Sequence, residues 1–188
     1  MRKFDHTALL KEVEPHRNEV AELDGELVPK SAAMIMSVLA AEVDSIVRFQ
    51  LYLDAIIECR AARRTAAAAK LAHAQYQEFR DVASLKIYSE ALAENGEVDA
   101  GVSRAKEALE LAVHEQTGVN YAAENLVRQA IKTGSAGAVN EALDALADSM
   151  QAPRKGDCAL EADWADEAEA LGADKALISW VRTIAERS

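Results

Sequence analysis

Residues 31–60 read SAAMIMSVLAAEVDSIVRFQLYLDAIIECR, and this stretch decides the predicted fold. Its large apolar side chains cover most of the circumference of a helix instead of one stripe: Ile35, Val38, Leu39, Val43, Ile46, Val47, Phe49, Leu51, Leu53, Ile56 and Ile57. A helix that is apolar nearly all round is surrounded by other elements or by a second subunit. We therefore predict that residues 31–60 form the central helix of the fold, buried within one chain or across a homodimer.

The composition of the chain indicates an all-α protein. Of the 188 residues only 5% are aromatic, and 3 prolines and 8 glycines leave few forced turns. Alanine, leucine, glutamate, lysine and arginine dominate, and these are good helix formers. Alternating runs of β-branched and aromatic residues, which predict strands, are absent. We expect a multi-helix bundle of antiparallel hairpins around the central helix, with no sheet.

Turn signals divide the rest of the chain. A single helix of about 60 residues would span about 90 Å, so we expect the chain to reverse near Thr65, with Thr65 as the N-cap. Asn95-Gly96 and Gly134 are predicted helix ends. The stretch QAPRKGD gives the clearest linker. We predict a main bundle over residues 1–151, a linker at residues 152–157, and a two-helix element over residues 158–188 packed on the bundle.

The region on both sides of Gly96 resembles one repeat of the tetratricopeptide family. Large and small residues match the first helix of the pattern, and small residues match the second: Leu85, Tyr88, Ser89 and Leu92, then Gly101, Ala105 and Ala108. The resemblance implies a close-packed helical hairpin. Val113 stands where the pattern has proline, and Gly134 follows Gly96 at more than the repeat length of about 34 residues. We therefore expect paired hairpins but no repeat array.

A second resemblance concerns the segment RNEVAELDGEL, residues 17–27. Its Arg17, Val20, Leu23, Asp24 and Leu27 resemble the opening helix of the all-helical chorismate mutases. In that family the arginine binds a substrate carboxylate, for which a guanidinium offers a two-pronged match. Two residues depart from the family's pattern, because Gly25 and Pro29 stand where the helix should continue. The resemblance implies an alternative function, a helical enzyme with a pocket inside the bundle.

A run of arginines follows the central helix. Arg60, Arg63 and Arg64 share one face of a helix and, with Arg17, are our candidate residues for binding a small anion. The competing interpretation is that the run pairs with the chain's own acids, such as Glu58. Cys59 lies beside these cations, which would lower the pKa of its thiol. The favoured interpretation of Cys59 is a buried structural cysteine.

Both tryptophans lie near the C-terminus, each on an apolar helical stripe. If this segment folds back onto the bundle, Trp164 and Trp180 fill the core. Otherwise they form an aromatic surface of the kind enriched at protein interfaces. They are therefore the candidate partner-binding residues.

Motifs for metal or covalent chemistry are absent from the sequence. None of the four histidines follows a glutamate at the Glu-x-x-His spacing of carboxylate-bridged metal sites, and cysteine–histidine zinc spacing is also absent. No nucleophile motif or phosphate-binding glycine loop occurs. We expect no metal, no cofactor and no catalytic residue.

The net charge of −11 narrows the range of partners. It argues against binding to nucleic acids, which requires a clustered positive surface, and against adsorption to anionic membranes. It complements the field of a basic protein. Cys59 and Cys158 lie far apart in the sequence, and no apolar leader pattern follows the N-terminus, so we expect a cytoplasmic location. The first functional hypothesis is a non-enzymatic protein-interaction protein: an adaptor, an immunity-type inhibitor or an assembly subunit.

Overall fold

The computed structural model describes residues 4–42, 44–150 and 162–186. Within these residues the chain forms ten α-helices and one two-stranded antiparallel sheet. The prediction of a mainly α-helical protein is confirmed, whereas the predicted absence of a sheet is wrong. The chain divides into two compact units, Met1–Arg80 and Asp81–Ser188. The sequence did not predict this boundary, and the linker predicted at residues 152–157 lies outside the described residues.

Within its described residues, the first unit contains four α-helices and the sheet. In chain order its elements are α1 (His6–Val13), a 3₁₀ turn (Glu14–His16), β1 (Val20–Leu23), β2 (Glu26–Pro29), α2 (Lys30–Ala41), α3 (Ser45–Ala61) and α4 (Thr65–Phe79). Helix α2 packs on α3, and α3 packs on α4. The apolar stretch at residues 31–60 is therefore not one central helix but parts of two.

A local capping interaction causes this break. The Asp44 side chain accepts hydrogen bonds from the backbone N–H groups of Ile46 (2.9 Å) and Val47 (3.2 Å), and so starts α3. Such an N-cap satisfies helix-end donors that otherwise lack partners. Glu42 adopts an extended backbone conformation at the end of α2. Two shorter helices can then pack against each other, which one long helix could not do.

Arg48 joins the two helices across the break and connects them to α4. Its Nη1 donates to the carbonyl oxygens of Leu39 and Glu42 at 2.9 Å each, which satisfies acceptors at the C-terminal end of α2. Its Nε and Nη2 donate to the two carboxylate oxygens of Glu78 at 2.6 and 2.7 Å. This bidentate hydrogen bonding lowers the pKa of the Glu78 carboxyl, although burial by itself raises that pKa.

The chain reverses between α3 and α4, as predicted, but Thr65 is not the N-cap. Arg63 adopts a left-handed backbone conformation (φ 55°), and the Arg64 N–H donates to the Cys59 carbonyl oxygen at 2.8 Å. This arrangement is the common way to end a helix, with arginine in the place that glycine usually takes. Arg64 is the N-cap of α4 and makes no side-chain capping bond.

The sheet is a β-hairpin with its turn at Asp24-Gly25, where the resemblance to chorismate mutases implied a helix. Both residues have positive φ angles, 50° and 81°, as a two-residue type I′ turn requires. Ala21 pairs with Val28, which is buried. The helix implied by the resemblance to chorismate mutases is therefore wrong over residues 20–29, because Asp-Gly favours this turn strongly between two short apolar segments.

The second unit contains six helices within its described residues. They are α5 (Val82–Glu94), α6 (Val98–Glu115), α7 (Val119–Lys132), α8 (Ala136–Ser149), α9 (Ala165–Ala170) and α10 (Lys175–Ala185). Each of α5 to α7 packs on the helix that follows it, and α5 also contacts α7. The predicted turns at Gly96 and Gly134 are confirmed, since both glycines have positive φ angles between helices.

Helices α5 and α6 approach each other closely through a row of small residues. Gly101, Ala105 and Ala108 of α6 are all buried, as the predicted hairpin requires. A Cβ atom on Gly101 would lie 2.8 Å from the Ser89 carbonyl oxygen and 3.2 Å from the Ala93 Cβ. The absence of a side chain at residue 101 therefore sets the distance between the two helices.

Buried polar side chains connect α7 to α5. Asn125 Nδ2 donates to Ser89 Oγ (2.8 Å), and Gln129 Nε2 donates to Asn125 Oδ1 (2.9 Å). Lys132 Nζ donates to Gln129 Oε1 at 3.0 Å and completes the row. Buried polar groups are costly unless they are paired, so this row favours one register of α7 against α5.

We predict that Gly101→Ala lowers the free energy of unfolding by up to about 2 kcal/mol. Alanine is the better helix former by about 1 kcal/mol, but the new methyl group forces the two helices apart, and overpacking costs about 1–3 kcal/mol. Urea denaturation followed by circular dichroism measures the change.

Gly137→Ala is the matched control, because a Cβ there meets only Ser135 Oγ, at 3.6 Å. It should stabilise α8 by about 0.5–1 kcal/mol. If both variants were stabilised equally, Gly101 would not set the distance between α5 and α6.

Candidate interaction surface

The buried carboxylate of Glu58, near the end of α3, holds both ends of the β-hairpin segment. Glu58 is 6% exposed. Its Oε1 accepts from Arg17 Nε at 2.9 Å and its Oε2 accepts from Ser31 Oγ at 2.8 Å. Arg17 precedes β1 and Ser31 follows β2, so one side chain fixes the chain on either side of the hairpin. The hydrogen bond and charge of Glu58 raise the pKa of the Arg17 guanidinium.

A second carboxylate, one helical turn earlier on α3, holds the N-terminal helix. Asp54 Oδ2 lies 2.6 Å from His6 Nε2, and Asp54 Oδ1 accepts from Gln50 Nε2 at 2.9 Å. Residues four apart share a face of a helix, so Asp54 and Glu58 point toward the same layer. Together they attach α1 and the hairpin segment to α3.

Cys59 lies beside this network and is fully buried. Burial raises the pKa of its thiol to about 11, and the neighbouring Glu58 charge acts in the same direction. The interpretation that the nearby arginines lower the pKa of Cys59 is therefore wrong, and the cysteine is a protonated, structural residue at neutral pH.

The loop between α3 and α4 carries two exposed cations. The side chains of Arg63 and Arg64 have no hydrogen-bond or ion-pair partner in the part of the chain that the structure describes. Arg60 differs, because it is half-buried in the last turn of α3 and already takes part in an interaction. Of the four predicted arginines, Arg63 and Arg64 are thus available to bind an anionic group.

Two depressions flank Arg64, and each is bounded by an exposed apolar residue of the hairpin. One, of about 240 Å³, lies between Val20, Arg17 and Arg64. The other, of about 350 Å³, lies between Leu27, Arg63 and Arg64. Val20 and Leu27 are each 56% exposed, and the strand register places them on the same outward face. We call Val20, Leu27, Arg63 and Arg64 the hairpin surface.

The structure brings together only part of the predicted anion site. Arg17 and Arg64 line the same depression, but the Arg17 guanidinium already binds Glu58. Sequence reasoning missed Val20 and Leu27 as part of this surface, and the resemblance to chorismate mutases implied a helix over both. The Asp24-Gly25 pair was the signal that could have placed them on a hairpin.

The two tryptophans occupy different environments in the second unit. Trp164 is 3% exposed, so the interpretation of Trp164 as part of a partner-binding surface does not hold in this fold. Trp164 is the N-cap residue of α9. Trp180 is half-buried on α10, and its role in partner binding stays a prediction.

No group of three or more histidine, cysteine, aspartate or glutamate side chains suited to a metal ion occurs in residues 4–42, 44–150 and 162–186. Across those same ranges, every helix is too short or too polar to cross a lipid bilayer. No protein-family model matches the chain, and no curated protein matches it.

We predict that Arg17→Met lowers the free energy of unfolding by about 1–2 kcal/mol, because it leaves the buried Glu58 carboxylate without its cation. Hydrogen exchange should show the loss of protection concentrated at residues 20–29, which Arg17 helps to hold.

Lys11→Met removes the same charge from the exposed face of α1 and is the control. It should leave the free energy of unfolding and the hydrogen-exchange protection of residues 20–29 unchanged. Equal effects of the two variants would mean that the ion pair between Arg17 and Glu58 does not stabilise the fold.

Proposed function

We propose that the chain is a non-enzymatic protein-interaction protein of the cytoplasm, built as a bundle of helical hairpins, and that the hairpin surface is one of its docking sites. The observation that carries this proposal is the placement of two exposed aliphatic side chains beside two arginines that have no partner among the described residues. Exposed apolar groups rimmed by charge are typical of protein-binding surfaces. Arginine is also enriched among the residues that contribute most to binding.

The two units differ strongly in charge, which supports an adaptor in particular. Residues 1–80 contain 11 lysines and arginines against 12 aspartates and glutamates, whereas residues 81–188 contain 10 against 20. On α6 and α8, Asp99, Glu110, Asp144 and Asp148 are exposed and have no side-chain partner in the described ranges. An acidic second unit attracts a basic protein, while the hairpin surface suits an acidic and apolar segment.

The test is a binding measurement on a charge-reversed hairpin surface. Arg63→Glu combined with Arg64→Glu should weaken binding of the docking partner at least tenfold, because two attractive contacts become repulsive. The partner is first captured with the intact chain and then purified, and its affinity is measured by calorimetry.

Arg80→Glu is the matched control, since Arg80 is also exposed and also has a left-handed backbone (φ 51°) at a helix end. It should bind as the wild type does. A partner that binds the double variant and the wild type equally would contradict docking at the hairpin surface.

A second candidate function is the binding of a small anion, favoured by one specific observation. The first turn of α4 has no side-chain cap, and its Thr65 and Ala66 line the depression of about 350 Å³ that Arg63 and Arg64 border. Backbone N–H groups at a helix start attract anions. This site is a depression beside the exposed Arg63 and Arg64. It therefore differs from the pocket inside the bundle that the resemblance to chorismate mutases implied.

Thermal unfolding in the presence of citrate or phosphate separates the two candidates. Under the anion-binding function, either salt raises the melting temperature of the wild type more than chloride does at equal ionic strength. The increase is lost in Arg63→Ala and kept in Arg80→Ala. Equal melting temperatures in all three salts would reject this second candidate and leave the interaction function standing.

A further inference from the structure

The inner face of the hairpin closes a small pocket that is separate from the hairpin surface. The pocket has a volume of about 160 Å³ and lies between the hairpin, α2, α3 and α4. Its walls are mainly hydrocarbon and comprise Leu23, Val28, Met36, Tyr52, Leu71 and Ala74. Apolar cavities of about 150 Å³ in proteins stay dry and accept benzene. The pocket therefore has the size and lining for one small ring or branched chain.

The rim of the pocket has an excess of negative charge. Lys70 Nζ donates to the Asp24 carbonyl oxygen at 2.8 Å and lies 3.6 Å from the Glu26 carboxylate. Lys70 thus offsets Glu26 and clamps the turn against α4. Asp24 also lines the pocket, and its carboxylate has no partner within the described ranges of the chain. One carboxylate at the rim remains available for a cation.

We propose that this pocket binds a small apolar primary amine. Its hydrocarbon body occupies the space between Leu23, Met36 and Leu71, and its ammonium group lies at the Asp24 carboxylate. Charge complementarity selects the ammonium, because an anionic head would meet two carboxylates and only one lysine. The apolar lining favours a ligand with a hydrocarbon body, because burial of hydrocarbon is the main favourable contribution to binding.

Three ligands of nearly equal size and different charge test the proposal. Benzylamine, benzyl alcohol and benzoate are titrated separately at pH 7 and equal ionic strength, with binding followed by the NMR shifts of the Met36 and Leu71 methyl groups. Benzylamine should bind most tightly, up to about fivefold more tightly than the alcohol, as expected for a solvent-exposed ion pair. Benzoate should bind most weakly. Equal binding of all three ligands, or no saturable shift, would overturn the proposal.

Two substitutions test separately how the ammonium group and the hydrocarbon part of the ligand contribute to binding. Asp24→Asn keeps the left-handed backbone, which asparagine tolerates, and keeps the carbonyl oxygen that Lys70 binds. It should remove the advantage of benzylamine and leave benzyl alcohol unchanged, whereas Asp144→Asn on α8 should change neither. Ala74→Leu fills the pocket and should abolish all binding.

If Ala74→Leu does not fold, Asp24→Asn alone decides. Unchanged benzylamine affinity in that variant would exclude an ammonium at Asp24. Neither result affects docking at the hairpin surface, because the arginines tested there do not line this pocket.

Discussion

The first unit depends on one buried carboxylate, that of Glu58. A carboxylate in a protein interior is costly unless hydrogen-bonded groups compensate its charge. Arg17 and Ser31 do so here, at distances of 2.9 and 2.8 Å, from the two ends of the hairpin segment. The requirement to satisfy Glu58 therefore fixes where the hairpin begins and ends against α3. Because α3 leads directly to Arg63 and Arg64, the same constraint places Val20 and Leu27 beside these cations.

The two faces of the hairpin lie in different environments. Its inward residues Leu23 and Val28 line an apolar pocket, and its outward residues Val20 and Leu27 are exposed near the arginines. Alternation of side chains along a strand makes this possible within four residues. A helix over the same residues, as the resemblance to chorismate mutases implied, would place Val20, Leu23 and Leu27 on one face, because they are three and four residues apart. The functional proposals for the first unit thus follow from the hairpin.

Local signals in the sequence predicted the second unit better than the first. Gly96 and Gly134 marked the turns, and Gly101, Ala105 and Ala108 predicted the close approach of α5 and α6, because each signal acts between neighbours in sequence. In the first unit, hydrophobicity over residues 31–60 suggested one helix and outweighed the capping preference of Asp44. The contact of Arg17 with Glu58 joins residues 41 positions apart. No spacing rule within one element predicts such a pair, so the assembled surface was found only in three dimensions.

Nuclear Overhauser effects in the first unit test the central claim most directly, namely that a hairpin held at Glu58 forms the surface beside Arg64. The account predicts cross-strand contacts between Ala21 and Val28, together with contacts from the Val20 and Leu27 side chains to Arg64. An unbroken series of helical contacts between residues three and four apart through residues 17–27 would contradict it.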